Sequence, residues 1–95
     1  MFQIAYYLDM PRLSEFYGIV IYMYFNDHNP PHFHAIYGGF EAEILISSVT
    51  VHDGYLPKRA LKLVQTWARN YRHELLANWN RAHSGRQVEP IPPLE

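Results

Sequence analysis

The chain contains no cysteine, which excludes disulfides and thiolate metal ligands outright. A secreted, disulfide-stapled scaffold is therefore not expected. Long apolar runs are missing too, and none approaches the roughly 20 residues a membrane helix requires. The opening MFQIAYYLDMPR has neither a basic region nor a small-residue cleavage site, so it does not read as a signal peptide. The expected location is cytoplasmic, with no membrane partner. Basic surplus is likewise lacking: 8 Lys and Arg against 9 Asp and Glu leave a formal charge of −1. Counterion release supplies most of the affinity of a sequence-independent phosphate binder, so contact with RNA would have to use a local patch. No internal repeat is found, and no GxGxxG, P-loop, HExxH or GxSxG pattern occurs.

What the chain does have is apolar and aromatic mass. Of its 95 residues, 48% are hydrophobic and 16% aromatic. That length corresponds to one small domain, which buries only about two-thirds of the surface its unfolded chain exposes. Large rings offset the small core by burying much area per residue. Met10-Pro11 follows an aromatic lead, so residues 1–9 read as an N-terminal extension and 10–95 as a single domain.

The pattern predicts strands followed by a helix. Phe16–Phe25 (FYGIVIYMYF) is a near-continuous run of β-branched and aromatic residues, closed by the turn formers of Asn26–Pro31, and reads as a central strand. His32–Tyr37 and Phe40–Ile46 flank Gly38-Gly39, a pair suited to a tight hairpin. Ser47-Ser48 then precedes a fourth strand, Val49–Asp53. After Pro57, apolar residues recur at Ala60, Leu61, Val64, Trp67, Ala68, Tyr71, Leu75, Trp79 and Ala82, the stripe of an amphipathic helix that stops at Gly85. Trp67, Tyr71 and Trp79 fall on that stripe and read as core. The expected fold is α+β: a four-stranded antiparallel β-meander packed on one long C-terminal α-helix.

Strand parity brings the polar residues together. A two-residue loop at Gly38-Gly39 pairs His34 with Glu43 and Phe33 with Ile44. Side chains alternate between faces, so Phe33, Ala35, Tyr37, Phe40, Ala42 and Ile44 face the helix. His32, His34, Glu41 and Glu43 then share the outer, solvent-facing side. A tight reversal at Ser47-Ser48 sets His52 opposite Glu43, giving a row His34–Glu43–His52 with facing Cβ atoms about 5 Å apart.

Three readings of this row stay open. Asp27-His28-Asn29-Pro30-Pro31-His32-Phe33-His34 concentrates imidazoles and a carboxylate that suit zinc or another first-row divalent metal, with His32, His34 and His52 as ligands. The same groups suit general acid–base chemistry, with His34 as acid–base group or ligand, Glu43 orienting it, and His32, Asp27 and His28 alongside. The plain alternative is a polar outer face held by His–Glu hydrogen bonds. Lys58, Arg59 and Lys62 at the helix start are candidate phosphate contacts, although charged outer faces are usual for amphipathic helices.

FYGIVIYMYFNDHNPPHFHAIYGGFEAEI, followed by LPKRALKLVQTWARNYRHELLANWNRA, resembles the bacterial family called domain of unknown function 4160. The resemblance runs from Met10 to about Leu94, and its most specific block is FNDHNPPHFHA with the downstream Tyr-Gly-Gly. The matching motif positions are Asp27, His28, Pro30, Pro31, His32, His34 and Gly39. The family carries no established activity. The resemblance implies a partner of the domain of unknown function 2442 type and a two-gene toxin–antitoxin type module, with this chain as a toxin-like component acting on RNA or another intracellular target. A non-catalytic protein-binding or regulatory module, a homo-oligomer and a small metal-binding protein are the alternatives. The chain departs from the family pattern before Met10 and across Ile46–His52, where relatives look more acidic and turn-like.

Overall fold

The computed structural model describes residues 11–95; the expected extension at 1–9 lies outside them. Five strands form one antiparallel meander in chain order: β1 (Arg12–Phe16), β2 (Ile19–Tyr22), β3 (His32–Tyr37), β4 (Phe40–Leu45) and β5 (Val51–Gly54). Two helices follow, α1 (Lys58–Asn70) and α2 (Arg72–Ala82). The α+β class and the meander are as expected, but the sheet has five strands rather than four and the helix is divided in two. Among the described residues no helix is long and apolar enough to cross a membrane.

The extra strand, β1, lies before the apolar run and shares only Phe16 with it. Tyr17 and Gly18 both adopt positive φ, 50° and 78°, and reverse the chain so that Phe16 pairs with Ile19. A tight hairpin turn of this hand needs a left-handed backbone at both central positions, which glycine adopts freely and tyrosine does not. The two sides differ in composition: IVIY after the turn is apolar and β-branched, whereas RLSEF before it is mostly polar and has no β-branched residue, so composition does not mark β1 as a strand.

The helix is interrupted at Tyr71, whose φ of −119° and ψ of 28° leave the helical region. Neither Pro nor Gly marks the break, and the apolar stripe runs through it. Next to the break the Arg72 guanidinium donates to the Ile46 carbonyl at 3.2 Å, tying the start of α2 to the residue that follows β4. The α1 stripe (Ala60, Val64, Trp67, Ala68) covers the inner face of the sheet. Trp67, fully buried, packs against Phe16 and Phe33 at ring distances of 5.2 and 5.9 Å. Tyr37 and Phe40 have the expected parity but sit exposed at the hairpin tip, at the rim of the core and not within it.

The proline-rich tail lies along the surface, as its composition suggests, and it is also fastened. Ile91 N–H donates to Leu13 O at 2.8 Å, which covers part of the free edge of β1. Trp67 Nε1–H donates to Pro92 O at 2.8 Å. Buried Asn78 holds Glu89 through both amide atoms, donating to its carbonyl and accepting from its N–H at 2.8 and 2.9 Å.

Between β3 and β4 the register is the expected one, with Tyr37 opposite Phe40, Ala35 opposite Ala42 and His34 opposite Glu43. Between β4 and β5 it is not. Ile44 pairs with Val51, but Glu43 pairs with Asp53, so His52 is the extra residue of a bulge. Gly54, at φ 80°, closes this edge, and a Cβ there would fall on the Glu41 carbonyl oxygen. Gly39 has open space around it. Gly54→Ala should therefore lower stability by roughly 1–3 kcal/mol, the scale of a strained backbone position, while Gly39→Ala stays near wild type. Urea unfolding midpoints of the two variants check this; equal midpoints would contradict the packing described.

Candidate functional site

The outer face of β3 is not open to solvent. Parity does place His32 and His34 there, but their relative exposures are only 1% and 5%. The segment between β2 and β3 folds back across them. It leaves the sheet at Met23, whose N–H donates to Pro11 O at 3.2 Å, and returns through Pro30 and Pro31. Tyr24 lies over the His34 ring at a centroid distance of 4.2 Å. Asp27 is thereby suspended above both imidazoles, five and seven residues before them in the chain. An extended β strand sends i and i+2 to one face, so the His-x-His spacing aims both rings at the same carboxylate.

The contacts at that point are short. Asp27 Oδ2 lies 2.9 Å from His32 Nε2 and 3.0 Å from His34 Nε2. Asp27 Oδ1 accepts from the His28 backbone N–H at 2.9 Å and lies 2.9 Å from His28 Nδ1. His32 Nδ1 is 2.8 Å from Pro30 O, and since a carbonyl only accepts, Nδ1 carries the proton. His34 Nδ1 has no hydrogen-bond partner; the nearest carboxylate oxygen, Glu41 Oε2, is 3.4 Å away. Glu43 Oε1 stands 3.8 Å from the Nε2 atoms of both His28 and His32.

Two overlapping groups result, Asp27–His32–His34 and His28–His32–Glu43, each with its ligand atoms within 4.8 Å of one another. Beside them a groove of about 270 Å³ is lined by His34, Glu41, Glu43, Asp53 and Gly54. His52, expected to join His32 and His34, instead lies beyond Glu43, with Nδ1 3.3 Å from Glu43 Oε2. The bulge shifts its backbone out of register, but its side chain still reaches Glu43, whereas Glu43 and His34 are neighbours by strand pairing without a side-chain hydrogen bond or ion pair.

Lys58, Arg59 and Lys62 are not brought to this site. They belong to the first turns of α1, on the inner side of the sheet, and Arg59 lines a separate cleft with Tyr17 and Tyr37 at the far end of β3 from His32. A group the sequence did not single out does join the site. His83, just past α2, contacts Asp27 O through Nε2 at 2.7 Å and Trp79 O through Nδ1 at 2.9 Å, and stacks on Trp79 at 4.1 Å. Trp79 in turn approaches the His32 ring at 5.3 Å. A separation of 56 residues hides this link from any local pattern.

Burial on its own would raise the Asp27 carboxyl. The His34 hydrogen bond, the His28 backbone N–H and the charges of His32 and His34 outweigh it and hold the group below its ordinary 3.8. A carboxyl lowered in the folded state adds stability in full above its unfolded value, and that stability is lost as pH falls through the lowered one. Asp27→Asn should thus flatten the acid limb of a plot of urea midpoint against pH below about 4. An acid limb identical to wild type would show that Asp27 is not the group titrating there.

A protein-family model for Domain of unknown function (DUF4160) matches residues 18–80, which span β2 to nearly the end of α2 and include every member of both ligand groups. No curated protein and no solved structure matches the chain. With more than half its length inside that match, the chain belongs to the DUF4160 family.

Proposed function

We propose that this domain binds a divalent metal ion of the zinc class through Asp27, His32 and His34, with Glu43 and His28 at the more open side. One observation carries the reading: the two Nε2 atoms converge on a single carboxylate oxygen, while His32 Nδ1 donates to Pro30 O and His34 Nδ1 has a carboxylate oxygen of Glu41 3.4 Å away. Metal-ligating histidines commonly donate their second ring N–H to a backbone carbonyl or carboxylate, which sets the tautomer and directs the other nitrogen to the ion. Pro30 O would serve His32 in this way and Glu41 would serve His34.

The donor count supports the same conclusion. With its Nδ1–H donating to Pro30 O, His32 can donate to Asp27 through Nε2 only as the imidazolium; the uncharged ring presents a lone pair to an oxygen that also has only lone pairs to offer. A bound cation would turn that opposition into attraction. It would also place the His34 proton on Nδ1, the buried nitrogen that has no hydrogen-bond partner and has Glu41 Oε2 3.4 Å away, so that a small movement of the Glu41 side chain would pair it. The donor set, imidazole nitrogens with carboxylate oxygens and no sulfur, suits zinc and neighbouring first-row ions.

A toxin-like component acting on RNA through His28, His32, His34 and Glu43 is the weaker reading. The groove beside the imidazoles is lined by Glu41, Glu43 and Asp53, which repel a phosphodiester, and the basic start of α1 faces elsewhere. The reading of a plain polar face is disfavoured by the burial of both imidazoles and the unpartnered nitrogen.

Isothermal titration of the tag-free chain with Zn²⁺, and the visible absorption of its Co²⁺ form, test the proposal. A single ion per chain should bind, and free ion at a hundredfold excess over the dissociation constant should stabilise the fold by about 2.7 kcal/mol. His34→Ala and Asp27→Asn should each abolish or greatly weaken binding in protein that remains folded by circular dichroism, and His52→Ala should leave it near wild type. Absence of stoichiometric binding by the folded wild-type chain would sink the reading. So would a His52→Ala loss as large as that of His34→Ala.

A further inference from the structure

The hairpin tips gather exposed rings. Tyr17 and Tyr55 are 60% and 62% exposed, Tyr37 and Phe40 less so, and Phe40 packs edge-on against Tyr55 at 5.6 Å. Tyr17, Ile19, Tyr37, Arg59 and Leu63 line a cleft of about 280 Å³ at the N-terminus of α1. Its apolar walls sit beside the positive charge of Arg59. Among the described residues the Lys and Arg ion pairs are Arg12–Glu15 and Arg81–Glu89, so Lys58, Arg59 and Lys62 have no acidic partner there. The first turn of α1 contains no acidic residue, and no side chain caps it, which adds the positive end of the helix dipole.

Tyr17 is the second, independent pointer. It occupies a left-handed turn position at φ 50°, where Asn or Asp is the favoured residue and a bulky ring is disfavoured. Its side chain is largely outside the core, so packing does not compensate for that backbone. A residue that fits the fold poorly and remains exposed calls for a role outside the fold. The Tyr37 ring lies next to Gly18, 3.6 Å from where a Cβ would project, so the turn and the cleft wall are one unit.

We propose that this cleft docks an acidic segment of a partner protein. A large apolar side chain of the partner enters between Tyr17 and Tyr37, and its flanking carboxylates meet Arg59, Lys58, Lys62 and the free N–H groups of α1. A nucleic-acid strand fits less well, since it needs a basic groove that tracks several phosphates, and here the cations are confined to the first five residues of one helix. The inference is independent of the metal site, which lies on the other face of the sheet.

Fluorescence anisotropy with the full chain tests it. The probe is a labelled short peptide in which Trp and Leu are flanked by Asp and Glu. The comparators are the same apolar residues flanked by Lys, and a single-stranded RNA oligomer. The acidic peptide should bind saturably and weaken with salt. Arg59→Gln and Tyr17→Asn should each reduce affinity by about tenfold, the scale of one lost anchor residue. Tyr17→Asn should at the same time raise the thermal midpoint, because Asn suits the turn. No saturable binding of the acidic peptide, equal binding of the basic one, or a preference for RNA would overturn the proposal. Unchanged affinity in both variants, or a lower midpoint for Tyr17→Asn, would overturn it as well.

Discussion

A single carboxylate oxygen organises the polar half of this domain. Asp27 Oδ2 meets the Nε2 atoms of two buried histidines on β3, and the loop that carries Asp27 is drawn down over the sheet by that contact. Without it, a strand with histidines on one face and Phe33 and Ala35 on the other would simply turn its polar side to water. Burying a charge is costly unless it is paired and hydrogen-bonded. Asp27 is both, with its second oxygen on His28 and its backbone carbonyl on His83. The loop, the sheet and the end of α2 are thus joined at one residue.

The joint has a consequence for rigidity. His32 is held by Pro30 and Asp27 of the preceding loop and by Trp79 of α2, so its ring orientation follows from two segments distant in the chain. His34 is held on one nitrogen and left without a hydrogen bond on the other, in a place where water does not reach. A small domain has little stability to spend on such an atom. His32 stands between two acceptors, Pro30 O and Asp27 Oδ2, and His34 has one nitrogen without a hydrogen bond; these two features make the cluster read as a binding centre more than a structural network.

Net charge near zero conceals a division of the surface. Glu41, Glu43 and Asp53 gather on the outer face around the histidines, while Lys58, Arg59 and Lys62 gather where α1 begins on the inner face. The sheet separates the two, and the bulge between β4 and β5 helps by turning Asp53 toward the acidic groove. The two faces thus carry fields of opposite sign.

Much of this architecture was legible from local pattern. Alternation along His32–Tyr37 and Phe40–Leu45, with two glycines between them, specifies the β3–β4 register and hence the His34–Glu43 pairing, because one slipped residue would turn the core outward. The helical stripe likewise named Val64, Trp67, Leu75 and Trp79 as core. Tertiary structure alone decided the rest. β1 is mostly polar and has no β-branched residue, and the helical stripe runs unbroken through Tyr71, so composition registers neither the first strand nor the helix break. The burial of His32 and His34, the convergence on Asp27 and the arrival of His83 depend on a loop and a helix end meeting across the fold. Short-range patterns report which face a side chain takes; what later covers that face is set by segments distant in the chain.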